Sequence, residues 1–330
     1  MRKAVLVYNP LAGRYPSWML TERAADVLRK HNWQVYLEQT QSGEHVTQLA
    51  RQAAHEEFDA FFVVGGDGSI NHALPGLFRT RTALGVLPAG TANVWAQELG
   101  LPGLSWTRWD ALEESARRLA RGEFRQVDVG LCNNQPFLLW AGVGLDAFIV
   151  HRLEPRSRLE KHFAVVQYAA SILWNAPEWR GLRLRVEANG RTISGHFILG
   201  VVSNIHLYAG GLTAISPHAR LDDGIMDLWL FMGKSLSDTV YLAWELLSGR
   251  HTESDQVMRI PFRIAHLQSD SPMYVQVDGE PIDVPGGTTI QVEQQALRVL
   301  VPERASDDLF GDERRSPPLE VDGMENLSNL

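Results

Sequence analysis

Ala60-Phe61-Phe62-Val63-Val64-Gly65-Gly66-Asp67-Gly68-Ser69 decides the fold of this chain. Five apolar residues in a row, too few for a helix, predict a short strand buried on both faces. The glycines that follow stop the strand. The residues from Ser69 to Phe78 then return to a helical spacing. A buried strand running through a glycine turn into a helix is the unit of a parallel sheet with crossover helices. The flanking sequence repeats it. Lys3–Tyr8, Gln34–Gln39 and Ala83–Leu87 read as strands, and Ser17–Lys30, Gly43–Glu56, Ala92–Leu99 and Trp109–Arg121 as helices. The predicted N-terminal domain, residues 1–126, is a Rossmann-like α/β layer structure.

Beyond Arg125 the pattern changes. Val127–Leu131, Phe137–Ala141, Leu182–Glu187, Thr192–Val202, Met226–Phe231, Val257–Gln268, Tyr274–Val277, Thr289–Val292 and Leu297–Val301 read as strands, with Asn133-Asn134 and Asn189-Gly190 as hairpin turns. This predicts a mostly antiparallel β-sandwich over residues 127–302. Two helices interrupt it. One spans Arg158–Trp174. The other spans Leu236–Leu247, opened by Ser235 with Asp238 three residues on and closed by Gly249. Residues 303–330 are polar, contain Pro317-Pro318, and are expected to be a disordered tail.

Composition excludes several classes. The 330 residues carry a net charge of −8, so no global basic field attracts nucleic acid. The single cysteine, Cys132, rules out an intrachain disulfide and fits a cytosolic protein. The longest largely apolar stretch, Pro136–Val150, contains Asp146 and falls short of the ~18 residues of a membrane span. No signal peptide is read at the N-terminus. A homodimer is compatible with these features but not read from them.

Three loops carry chemistry. In Gly65-Gly66-Asp67-Gly68-Ser69 the glycines let backbone N–H groups approach phosphate oxygens, and the following helix adds its dipole. Asp67, a carboxylate beside phosphates, calls for a divalent cation between them and reads as a Mg²⁺ contact. Leu87-Pro88-Ala89-Gly90-Thr91-Ala92-Asn93 occupies the same place one unit later. Asn9-Pro10-Leu11-Ala12-Gly13-Arg14 follows the first strand. Together they predict a phosphate-binding rim at the carboxyl ends of the strands. Asp278-Gly279-Glu280 follows an apolar strand. It reads either as a polar hairpin turn or as two carboxylates aimed into a cleft, where one acts as a general base.

The Asn-Pro-x-Ala-Gly, Gly-Gly-Asp-Gly-Ser and Leu-Pro-x-Gly-Thr-x-Asn loops, in this order and spacing, resemble the diacylglycerol kinase catalytic domain. Tyr208-Ala209-Gly210-Gly211, the segment from Ala219 to Asp227, and Val277-Asp278-Gly279-Glu280 extend the resemblance to bacterial lipid kinases of the diacylglycerol kinase and YegS type, over roughly residues 3 to 302. The resemblance implies an ATP- and Mg²⁺-dependent kinase acting on a lipid alcohol, cytoplasmic and in transient contact with the inner membrane surface. It implies ATP contacts from Asn9, Pro10, Ala12, Gly13, Arg14, Thr40, Gly65, Gly66, Asp67, Gly68, Ser69, Ile70, Asn71, His72, Gly90, Thr91 and Asn93. Glu280 would be the general base, and Asp278 would orient it or the metal. Asp223, with the backbone carbonyls of Arg220 and Ile225, would hold a structural Mg²⁺. His72, Val94 and Gln97 stand where many members carry other residue types. The rival readings are a soluble-substrate kinase of the NAD kinase kind and a non-catalytic nucleotide- or lipid-binding regulator.

Overall fold

A computed structural model of the chain describes residues 1–10, 17–105, 107–153, 179, 181–284, 286–303 and 305–311. The helix expected over Arg158–Trp174 and residues 312–330 of the expected tail lie outside the described residues, as do Ala12, Gly13 and Arg14. The chain divides into two compact units, residues 1–128 with 295–309, and residues 129–294 with 310–330.

The first unit is the predicted α/β structure. Its elements are β1 (Arg2–Tyr8), α1 (Ser17–Lys30), β2 (Trp33–Gln39), α2 (Gly43–His55), β3 (Ala60–Gly65), α3 (Asp67–Leu77), β4 (Ala83–Pro88), α4 (Val94–Glu98) and α5 (Ala111–Ala120). The strands pair in parallel in the order β4-β3-β1-β2. Central β3 is buried from Ala60 to Val64, as its uninterrupted apolar run requires, while edge strand β2 is mostly half-buried or exposed. Tyr8 pairs with Gln39 and Val64, and Gly65 pairs with Pro88. The register thus brings the loops after β1, β2, β3 and β4 out at one sheet edge.

The second unit is an antiparallel sandwich. It contains the end of β5 (Glu123–Cys132), then β6 (Gln135–Phe137), β7 (Trp140–Gly144), α6 (Leu145–Leu153), β8 (Leu182–Ala188), β9 (Arg191–Ser203), β10 (Leu207–Tyr208), β11 (Thr213–Ala214), β12 (Met226–Met232), α7 (Leu236–Ser248), β13 (Val257–Phe262), β14 (Ile264–Ser269), β15 (Val275–Val277), β16 (Glu280–Ile282) and the start of β17 (Gly287–Val301). The order is β16-β15-β7-β9-β8-β14-β17, and β9 also pairs with β12, which pairs with β13. Asn133, Asn134, Asn189 and Gly190 all have positive φ, as the two tight hairpins demand. Ser235 and Asp238 form a reciprocal capping box at the start of α7, and Gly249 ends it in the left-handed conformation. Phe137, Phe197, Val201, Leu228, Leu230 and Phe262 lie in the core between these elements.

Several boundaries differ from the sequence reading. The strand expected over Phe137–Ala141 is broken: β6 ends at Phe137 and β7 begins at Trp140. The apolar run that follows continues as helix α6, which the sequence left unassigned. The strands expected at 289–292 and 297–301 are one strand, β17, with Gln295 at positive φ. Its last part belongs to the first unit, because Leu297, Val299, Leu300 and Val301 are buried there and Val299 pairs in parallel with Leu84.

Candidate active site

The loop after β3 and the loop after β4 are locked together by their smallest residues. A Cβ on Gly90 would lie 2.5 Å from the Gly66 Cα, and one on Gly66 would lie 3.2 Å from the Gly90 Cα, so the two backbones touch. Ala89 N–H donates to the Gly65 carbonyl at 3.0 Å. Asn93, buried and left-handed, accepts from Gly90 N–H through Oδ1 at 2.8 Å and donates to the Gly90 carbonyl through Nδ2 at 2.9 Å. A Cβ at Gly68, by contrast, would meet nothing within 4 Å. Gly68 opens the first turn of α3, where helical amides lack intrahelical partners and face incoming anions.

Asp67 serves this architecture directly. Its Oδ2 accepts from Val94 N–H at 2.9 Å and its Oδ1 from Trp95 N–H at 3.1 Å, which caps the start of α4. Burial pushes its carboxyl above the usual range, against the opposing pull of these amides. Each oxygen keeps a further lone pair, so a cation contact is compatible with the clamp. Val94 itself is buried, and Gln97 Nε2 donates to the Ala92 carbonyl at 2.6 Å. The side chains at two of the departing positions therefore support the loop. The third, His72, has its ring against Gly43 and its carbonyl accepting from Thr47 Oγ1 at 2.6 Å.

The other expected nucleotide contacts divide. Asn9, Pro10, Ser69, Asn71 and Thr91 lie at or beside the loop edge. Thr40 is buried, and both its amide and its hydroxyl donate to the Tyr8 carbonyl, at 2.8 and 3.2 Å. Ile70 is buried and its amide donates to the Gly66 carbonyl at 3.3 Å, which makes it a packing residue of α3.

In the second unit the hairpin of β15 and β16 turns at Asp278 and Gly279, which have φ of +47° and +84°. Asp278 accepts three backbone N–H groups: Leu138 at 2.8 Å, Leu139 at 2.9 Å and Trp140 at 3.1 Å. Its own N–H donates to the Trp140 carbonyl at 3.0 Å. These bonds explain the break between β6 and β7, and they make Asp278 the anchor of the turn. Glu280, next along, is half-buried at the start of β16, and among the described residues no hydrogen bond or ion pair holds its carboxylate.

Asp146, which the sequence reading did not select, stands close to this turn. It is buried in the first turn of α6, accepts from Gln276 Nε2 at 2.7 Å and interacts electrostatically with the Tyr208 phenol. Burial first, and then the Asp146 charge, hold the Tyr208 phenol far above its usual range. Asp146 and Tyr208 are polar members of the lining of a groove of about 160 Å³ whose other walls include Leu145, Ile149, Leu199, Phe231, Leu242 and Leu246. The signal for Asp146 was an acid inside an apolar run. The groove had none, because its walls come from distant segments.

The candidate cation segment is built around Asp223. Its Oδ1 accepts from Ile225 N–H at 2.9 Å across Gly224, whose φ is +75°. Its carboxyl is pushed up to about 6, first by burial and then by the negative charges of Asp227 and Asp222. Asp227 is paired with Arg259 at 3.0 Å, and Asp222 accepts from Gly311 N–H at 2.7 Å. Among the described residues no three His, Cys, Asp or Glu side chains converge on a point. A cation there would draw on one carboxylate, backbone carbonyls and water, a hard oxygen set that suits Mg²⁺. The negative charge gathered by Asp222, Asp223 and Asp227, offset only in part by Arg220 and Arg259, fits that group.

The chain is similar to known proteins over most of its length. Residues 3–132 match the diacylglycerol kinase catalytic domain, and residues 141–301 match the YegS C-terminal NAD kinase beta sandwich-like domain. The chain is 27% identical over 314 residues to a diacylglycerol kinase of Bacillus subtilis (strain 168), covering 94% of this chain and 99% of that one. It is 26% identical over 284 residues to a diacylglycerol kinase of Staphylococcus aureus (strain MRSA252), covering 84% and 86%. The crystal structure of a diacylglycerol kinase from Bacillus anthracis str. Sterne superposes with a TM-score of 0.70 over 92% of this chain and 98% of that one. At 18% identity that likeness speaks for the fold alone.

Proposed function

This chain belongs to the diacylglycerol kinase family of ATP-dependent lipid kinases, and from that premise we propose how its residues divide the reaction. Residues 1–126 bind ATP and residues 127–302 bind the lipid. The phosphates lie against the amides of Gly66 to Gly68, with the Gly90–Asn93 loop behind them and Asn9 close by. A diacylglycerol-like lipid lays its apolar part in the groove and its polar end toward Asp146. Glu280 takes the proton from the lipid hydroxyl. The hydroxyl oxygen forms a bond to the γ-phosphorus as the bond to the β,γ-bridging oxygen breaks, releasing ADP. An alcohol is too weak a nucleophile unaided, and a placed carboxylate contributes about 10²- to 10⁴-fold. Asp67 and the phosphates would hold a catalytic Mg²⁺, and Asp223 with the carbonyls of Arg220 and Ile225 a structural one. When bound, Mg²⁺ neutralises charge on the transferring group.

The observation that carries this reading is the apolar groove with a buried carboxylate in its lining, linked by hydrogen bonds to the turn that bears Glu280. A soluble dinucleotide would have no use for such walls. Membrane contact belongs to the same reading. No described helix is long and apolar enough to cross a membrane. Leu212 and Leu247, both exposed, line the groove as well, and Val240 and Trp244 lie exposed along the same helix. The enzyme then works from the cytoplasmic side, peripheral to the inner membrane. No step requires a second copy of the chain.

Incubating the protein with γ-labelled ATP and either diacylglycerol vesicles or NAD tests the proposal. Label is expected on the lipid. Label on NAD alone would overturn it.

A further inference from the structure

Gln276 sits on β15 between Val275 and Val277, and all three are buried. At 1% exposure an amide side chain is costly to hold there unless every polar atom is matched. Gln276 is matched at both ends. Nε2 donates to Asp146 Oδ2 at 2.7 Å, and Oε1 accepts from the Gly279 N–H at 2.7 Å. The two ends cannot be exchanged, since a carboxylate only accepts and a backbone N–H only donates. Asp146 itself lines the groove, so a run of two hydrogen bonds leads from the groove wall to the residue before Glu280. Gly142 on β7 makes room for it. A Cβ there would lie 2.2 Å from Asp146 Oδ2 and 2.7 Å from Gln276 Nε2.

We infer that Gln276 is a positioning residue of the kinase reaction: it fixes the turn carrying Glu280 relative to Asp146 in the lining of the lipid groove. This rests on the reading of Glu280 as the base. Asp278 already anchors one side of the turn through the amides of residues 138–140. Gln276 sets the other side against the wall that the lipid touches. A lipid seated at Asp146 then meets a carboxylate already aimed at its hydroxyl. Misplacement of a reacting group by about 1 Å costs about 10²-fold in rate.

The test compares kcat, KM for ATP and melting temperature for the wild type, Gln276→Leu, Gln276→Glu, Gly142→Ala and Glu280→Gln on diacylglycerol vesicles. Gln276→Leu and Gly142→Ala are expected to lower kcat about 100-fold with KM for ATP unchanged. Gln276→Glu keeps the shape and the acceptor for Gly279 but sets two carboxylates together. Among the described residues, Asp146 from α6 and Tyr208 from β10 stand nearest the new group, Asp278 and Glu280 lie on the turn itself, and His151 of α6 is bonded to the Val275 carbonyl one residue away. Its kcat is expected to fall similarly at pH 8 and to recover as the pH is lowered to 6, because one shared proton restores the bond to Asp146. The wild type shows no such recovery. A merely structural role predicts a loss in Gln276→Glu that acidification does not reverse, and this result overturns the inference. Wild-type kcat in both Gln276 variants beside an inactive Glu280→Gln overturns it too, and leaves the base in place. An active Glu280→Gln removes the premise instead. Should Gln276→Leu fail to fold, the isosteric Gln276→Glu decides.

Discussion

Three glycines of the loops after β3 and β4 do different work. Gly66 and Gly90 are small because two backbones meet there, whereas Gly68 is small beside open space. Gly90→Ala should therefore cost about 1–3 kcal/mol of stability through overpacking and weaken ATP binding with it. Gly68→Ala should leave the melting temperature unchanged or raised, since alanine favours a helix by up to ~1 kcal/mol, yet weaken ATP binding, because the new methyl occupies the phosphate's approach. Thermal melts and ATP titration of the two variants check this separation. Asp67 marks the limit of reading at this scale. Its residue type announces a carboxylate near phosphates, and the sequence supports a cation contact. Its partners are the N–H groups of Val94 and Trp95, which every residue type but proline possesses and no sequence displays. The same holds for Asp278, whose three amide partners lie about 140 residues away in the chain.

Among the elements, α7 was the most legible and carries a consequence beyond its cap. Ser235, Asp238 and Gly249 define its ends, and Leu242 and Leu246 face the core. The opposite side is also apolar. Trp244 is 51% and Leu247 61% exposed, and Arg250 lies over the Trp244 ring at 5.5 Å. Full burial of a large apolar side chain is worth about 1.5–3 kcal/mol, so the pair together would strengthen vesicle binding by about tenfold or more. Trp244→Glu with Leu247→Glu is expected to lose cosedimentation with vesicles and to raise KM for the lipid, with thermal stability little changed. Undiminished vesicle binding would remove α7 from the membrane contact. Helix α6 was missed for a physical reason. Its residues from Leu145 to Val150 are buried and, Asp146 apart, apolar, and such a run does not distinguish helix from strand.

At the scale of the molecule, the change from alternating strand and helix to consecutive strands located both units. It did not assign the end of β17, since an apolar strand does not declare which of two cores receives it. Stability carries a further signature. His251 is buried, its Nε2 bonds to the Ile215 carbonyl at 2.9 Å, and its ring lies 5.1 Å from that of Trp229. Burial holds its pKa below the ordinary 6.5, and the bond to Ile215 and the charge of Glu245 oppose this only in part. The unfolded chain takes up the proton near pH 6.5 while the folded one resists, so this residue's share of stability is intact above that pH and is lost as the pH falls below it. The melting temperature should decline between pH 7 and pH 5, and less steeply in His251→Gln. An identical decline in both would place the acid sensitivity elsewhere.

The central claim is that an ATP-holding loop system and a carboxylate at Glu280 together phosphorylate a lipid hydroxyl. The most direct measurement is phosphate transfer from ATP to diacylglycerol vesicles by the wild type and Glu280→Gln, with ATP affinity determined on the same samples. The account predicts a loss of about 10²- to 10⁴-fold in kcat at unchanged ATP affinity. Full transfer by Glu280→Gln, or a parallel collapse of ATP affinity, would contradict it.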